Sequence, residues 1–186
     1  MRLVVAVTGA TGAVYAVKLL EALKANNVEV HLIISRWAER TLELEVGLTA
    51  EDMRGKAAYS YSEDDLAAPV SSGSFQHDGM VIVPCSMKTL AAIAHGFCDN
   101  LIARTADVTI KEGRKLILVP RETPLSAIHL ENMLTLSRLG AVIMPPMPAF
   151  YYHPQSVDDL VNHLVSRILD HLGLEQHLVP RWEGEL

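Results

Sequence analysis

Short unbroken apolar runs alternate along the chain with stretches in which apolar residues return every three or four positions. The runs at 2–7, 29–35, 80–84, 115–119 and 141–144 are rich in Val, Ile and Leu and show no polar alternation. Such runs predict strands covered on both faces. The periodic stretches predict helices: one ending near Ala25, one beginning near Trp37, one ending near Ala94, and others over 100–111, 128–139 and 156–172. The last is the clearest. Val157, Leu160, Val161, Leu164, Ile168, Leu169 and Leu172 share one face, and Ser156 with Asp159 predicts a capping box at its start. Strand–helix alternation calls for parallel pairing through right-handed crossovers. The expected fold is a single doubly wound, three-layer α/β domain over 1–186, with a mostly parallel sheet. Residues 49–76 are the least regular and end in Ser71-Ser72-Gly73-Ser74, which predicts a functional loop.

Composition narrows the classes. Of 186 residues, 49% are hydrophobic and 20% charged, which excludes disorder. A net charge of -6 argues against a nucleic-acid footprint. The apolar runs fall short of the roughly 18 residues a spanning helix needs, and the first residues enter a strand rather than a signal sequence. A cytoplasmic protein is expected. The two cysteines, Cys85 and Cys98, suit neither a disulfide framework nor a zinc site. The apolar fraction is high for a small soluble monomer, so a homo-oligomer, an apolar ligand, or both are expected.

In doubly wound folds, ligands bind beyond the carboxyl ends of the strands. There the chain places Gly9-Ala10-Thr11-Gly12, which is either a tight turn or a phosphate cradle at a helix start. No full dinucleotide fingerprint or Walker motif occurs, which counts against NAD and ATP. Ser86-Met87-Lys88-Thr89 is a second hydroxyl-rich turn, either a plain helix cap or an anion site. Arg121-Glu122 ends the fourth strand, as an ion pair or as an anion-binding and acid/base pair. Arg104 and Lys111 lie seven apart on one helix and share a face. Arg167 sits on the polar face of the last helix. Pro148-Ala149-Phe150-Tyr151-Tyr152-His153-Pro154 concentrates aromatics, for stacking on a planar ligand or for subunit packing. The histidines form no ligand pattern, so no metal is expected. Cys85 reads as a small apolar strand-end residue rather than a nucleophile.

Taken together, Gly9-Ala10-Thr11-Gly12-Ala13, Ser72-Gly73-Ser74, Pro84-Cys85-Ser86-Met87-Lys88-Thr89, Ala106-Asp107-Val108 with Lys111-Glu112, Val119-Pro120-Arg121-Glu122-Thr123-Pro124-Leu125, Ile128-His129-Leu130 and Pro148-Ala149-Phe150-Tyr151 resemble the UbiX-type flavin prenyltransferases. The resemblance runs from residue 2 to Arg181-Trp182. It is nearest to members formerly called the B subunit of phenolic or hydroxyaryl acid decarboxylases. It implies a Rossmann-like flavoprotein domain. It also implies a metal-independent reaction joining a dimethylallyl group from dimethylallyl monophosphate to N5 and C6 of reduced FMN. The product, prenylated FMN, would serve a UbiD-type aromatic acid decarboxylase.

By the same resemblance, Gly9, Ala10, Thr11, Ser35, Ser86, Met87, Lys88, Thr89 and Arg121 would contact FMN. Tyr151 and Arg167, with Lys111, would hold the prenyl phosphate. Glu122 and Glu45 would be acid/base groups, and Arg104 would lie near the site. A homo-dodecamer with sites at subunit contacts is implied. The sequence departs from the family at Thr11, where many members have Ser, and at Leu66, where some have Trp. Two rival expectations are a non-catalytic FMN-binding subunit of a hydroxyaryl acid decarboxylase and a flavin-dependent peptidyl-cysteine-type decarboxylase. The second is disfavoured by Pro84-Cys85-Ser86-Met87-Lys88-Thr89, where those enzymes carry Pro-Ala-Ser-Ala-Asn-Thr.

Overall fold

A computed structural model describes residues 1–184. Six strands form one all-parallel sheet: β1 (Arg2–Val7), β2 (Glu29–Ile34), β3 (Tyr59–Ser62), β4 (Gly79–Cys85), β5 (Lys115–Pro120) and β6 (Val142–Ile143). Their spatial order is β3-β2-β1-β4-β5-β6, and every pairing is parallel. The chain winds outward from β1 in one direction and then from β4 in the other. The switch therefore falls between β1 and β4, whose carboxyl ends diverge into helices on opposite faces.

Those faces hold two cores. On one, α1 (Ala13–Ala25), α2 (Arg36–Val46) and α7 (Val157–Leu172) cover Leu3, Val5, Val81 and Ile117. On the other, α4 (Met87–Ala94), α5 (Leu101–Lys111) and α6 (Ala127–Arg138) cover Val4, Ala6, Ile82 and Leu118. Alternate residues of one strand thus feed opposite cores, which explains why the central strands read as unbroken apolar runs.

The expected capping box of α7 is present: Ser156 accepts from the Asp159 amide, and the Asp159 carboxylate accepts from the Ser156 amide. One position on its apolar face is corrected. Val157 is exposed because it opens the helix beyond the core, and Val165 is buried instead. The irregular stretch is corrected more substantially. Within 49–76 lie a short helix, α3 (Ala50–Arg54), and the edge strand β3. β3 reads Tyr-Ser-Tyr-Ser and carries no apolar run, because it has only one sheet neighbour. Tyr59 and Tyr61 both stack on the buried His31 of β2, and Tyr61 Oη lies 2.8 Å from His31 Nδ1. Among the described residues, no helix is long and apolar enough to cross a membrane.

Candidate active site

Thr8, the first residue beyond β1, closes the switch point. Its hydroxyl donates to the Pro84 carbonyl at 2.8 Å and accepts the Ser86 amide at 2.8 Å. Both bonds are largely shielded from water, since Thr8 is buried. Beyond this tie, a cleft of about 600 Å³ opens, lined by Gly9, Ser35, Trp37, Ser86, Lys88 and Thr89 among others. That volume suits a bound cofactor or small molecule. Gly9 has to be glycine: a Cβ there would run into the Trp37 Cβ and backbone. The backbone of the turn can therefore approach the start of α2, and Trp37 is left 73% exposed at the cleft wall.

Three helix starts converge here, and they differ in which donors they leave free. The first amides of α1, those of Gly12 and Ala13, are taken by the Glu45 carboxylate, at 2.8 Å each. Burial would raise the Glu45 pKa. Hydrogen bonds from the Thr11 hydroxyl and these two amides, with the charge of Arg121, outweigh it and hold the carboxyl below its ordinary value. At α2, Ser35 accepts from the Ala38 amide, while the Arg36 amide donates to Glu63 at 2.6 Å. At α4, Ser86 Oγ accepts from the Thr89 amide and donates to the Thr89 hydroxyl at 3.0 Å. The Ser86 turn is thus a helix cap, and the Met87 and Lys88 amides have no intrachain acceptor among the described residues. These are the donors an incoming anion meets first.

On the other flank, the Arg121 amide donates to the Cys85 carbonyl, which sets Arg121 at the end of β5. Glu45 and Tyr15 border the Gly9-Ala10-Thr11-Gly12 turn, and the Arg121 charge favours the ionised form of both. Glu122 is exposed, and its carboxylate turns back to the Thr123 amide at 2.9 Å. Cys85 is fully buried, and burial pushes its thiol up to about 12, which fits an inert strand-end residue.

The other anticipated residues lie elsewhere. Arg104 pairs with Asp107 and donates to the Ser71 carbonyl at 3.1 Å. Lys111 pairs with Glu112, beside Gly73. Lys111 ends α5, four residues before β5 begins, whereas Arg121 directly follows the end of that strand. At about 3.3 Å per residue, a six-residue strand puts roughly 20 Å between these ends. Tyr151 and Arg167 belong with α7, on the face opposite α5. Tyr151 Oη lies 3.0 Å from His163 Nε2, and its ring packs edge-on against Trp182. Arg167 pairs with Asp170, which also holds Arg181. Within one chain the sheet stands between Lys111 and the Tyr151–Arg167 pair, so their expected grouping requires a second copy.

Sequence reasoning passed over four neighbours of these groups: Trp37, Glu63, Asp170 and His163. Trp37 carried a usable signal, since it follows a strand-end serine by two residues. The others depend on contacts across the fold. Among the described residues, no group of three or more His, Cys, Asp or Glu is placed to hold a metal ion.

An all-parallel sheet with a cleft at its switch point is the architecture in which nucleotide-binding α/β proteins place their ligand. The family model described as Flavoprotein matches residues 1–169. Flavin prenyltransferase LpdB of Lactiplantibacillus plantarum is 57% identical over 185 residues, covering 99% of each chain. The solved structure of AnUbiX (PadA1) in complex with FMN and dimethylallyl pyrophosphate matches with a TM-score of 0.98 at 56% identity, covering 100% of this chain and 98% of that one. That of a dodecameric FMN-dependent Ubix-like decarboxylase from Escherichia coli O157:H7 matches with a TM-score of 0.97 at 57% identity, covering 99% and 100%. The chain belongs to the flavoprotein family and, within it, to the UbiX-like flavin prenyltransferases.

Proposed function

We propose that this protein joins a dimethylallyl group, taken from dimethylallyl monophosphate, to N5 and C6 of reduced FMN, releasing phosphate and yielding prenylated FMN. The observation that carries the reading is the correspondence, over nearly the whole chain, with LpdB and with the FMN-bound AnUbiX structure. The cleft is consistent with it. Gly9 clears the approach to the turn, and Ser35, Ser86, Thr89 and the open α4 amides match an FMN phosphate.

Reduced FMN supplies the nucleophilic ring atoms. The protein's residues do the rest. Gly9, Ala10 and Thr11, with Met87, Lys88 and Arg121, hold the flavin at the switch point. Lys111, Arg167 and Tyr151 present two cations and a hydroxyl to the phosphate as it leaves and gains charge, the task a metal performs in other prenyl transfers. Arg104 fixes the Ser71 backbone, two residues before the Gly73 that meets Lys111. Glu45 enters as a carboxylate, so near neutrality it can accept a proton but has none to give. Glu122, exposed at the end of β5, is the second candidate to take the proton lost from C6.

Because one chain holds its own Lys111 away from its own cleft, the complete site requires another copy. Exposed apolar side chains support assembly: Ile128, Leu130 and Leu134 on α6, with Met147 and Phe150 beyond β6. The relative from E. coli is dodecameric, and the same assembly is proposed here. The product would pass to a UbiD-type aromatic acid decarboxylase in the cytoplasm.

The test is anaerobic incubation with reduced FMN and dimethylallyl monophosphate, followed by mass measurement of the flavin. A gain of one dimethylallyl unit is expected. An unaltered flavin, with both ligands bound, would exclude the transferase and leave a non-catalytic FMN-binding subunit.

A further inference from the structure

His163 stands apart from the residues already assigned, yet it makes the one intrachain hydrogen bond to the Tyr151 hydroxyl among the described residues, at 3.0 Å to Nε2. Its orientation is over-determined. The Tyr152 ring lies flat against the imidazole, with centroids 5.0 Å apart and planes 8° apart. Tyr152 is itself anchored by its hydroxyl, which donates to the Asp159 carbonyl at 3.0 Å. Tyr151, by contrast, sits on an exposed loop, with edge-on contacts to Tyr152, His163 and Trp182. Arg167 follows His163 by one helical turn and therefore shares its face.

A phenol has one proton and can also accept. A phosphate dianion offers only acceptors, so Tyr151 must spend its proton on the phosphate and take a donor on its other side. We propose that His163 is the positioning residue of the prenyl-phosphate site, donating from Nε2 to the Tyr151 oxygen so that the phenol proton points at the phosphate. This rests on the reading that Tyr151 and Arg167 hold that phosphate. Partial burial, with the nearby Arg167 charge, lowers the His163 pKa, so near neutral pH the ring is uncharged and adds direction rather than charge. Arg167 then remains the cation of this side of the site, with Asp170 setting its position from the next turn.

The test uses FMN-loaded protein and two probes: turnover of dimethylallyl monophosphate, and calorimetric binding of inorganic phosphate. His163→Leu should raise the KM for the donor about tenfold and weaken phosphate binding by a similar factor, with kcat and FMN affinity little changed. His163→Gln, whose amide can still donate, should restore most of the loss. Introduced into Tyr151→Phe, His163→Leu should add nothing, because the hydroxyl through which it acts is gone. Wild-type binding and KM in His163→Leu would overturn the inference. So would a Gln variant as impaired as the Leu variant, or an undiminished effect in Tyr151→Phe. Failure of the wild type to alkylate FMN would instead overturn the proposed function itself.

Discussion

The cleft at the β1–β4 switch and the patches around Lys111 and Tyr151 are built in different ways. The frame of the cleft is made of backbone and short hydroxyls, with Lys88, Asp99 and Glu63 at its rim: Thr8 joins β1 to β4, Ser35 and Ser86 cap their helices, and Gly9 lies against Trp37. Every one of these groups has its partner inside the chain. The outlying patches are made of long, exposed side chains held in local ion pairs, Lys111 with Glu112 and Arg167 with Asp170. Exposed pairs of this kind contribute little to stability, about 0–1 kcal/mol each. They can be redirected when a ligand or another subunit arrives. Under the proposed function, the contrast predicts that the cleft keeps its shape in a single folded chain, whereas the prenyl-phosphate groups are brought together only by a second copy.

The sharpest way to break this comparison is Lys111→Ala. If Lys111 acts only on the leaving phosphate, kcat should fall about 100- to 1,000-fold while FMN affinity, measured by titration, stays unchanged. A matching loss of FMN binding would merge the two regions into one. Gly9→Ala attacks the cleft instead. The new Cβ has to displace Trp37, in the first turn of α2, at a cost of about 1–3 kcal/mol. FMN binding should weaken along with thermal stability, and calorimetry would check both.

Thr8→Val probes the same region more gently. It removes one donor and one acceptor from a buried tie, leaving the Ser86 amide unpaired, at about 1–3 kcal/mol in urea unfolding. FMN affinity should fall with it, because the start of α4 is no longer held to β1.

The smallest effect on stability is expected for Glu45→Gln, with a distinct pH signature. The folded-state pKa of Glu45 is depressed, so its contribution is complete above the ordinary value of 4.5 and is lost as pH falls through the folded value. The melting temperature of the variant should lie below that of the wild type at pH 7, and the gap should close in the acid range below pH 4.5.

Much of the fold was legible because the sheet is covered on both faces. Strands such as β1, β4 and β5 have no solvent side, so each declares itself as an apolar run followed by a turn. The candidate flavin residues were legible for the same reason, since Ser35, Ser86 and Arg121 occupy the positions just beyond those runs. β3 was not legible. Its serines and tyrosines satisfy an edge position and a buried histidine, neither of which leaves an apolar pattern. The Glu45 and Glu63 carboxylates at the starts of α1 and α2 were equally hidden as partners, since they approach from 33 and 27 residues away.

The sequence by itself determined the alternation of strand and helix, the helix caps and the residues that follow each strand. These depend on local periodicity and on hydrogen bonds over a few residues. Tertiary structure alone decided which donors stay open and which residues share a site. Those outcomes depend on how six strands are ordered and which face each crossover covers, and that arrangement puts Tyr151 and Arg167 beyond the face of the sheet opposite α5 and Lys111.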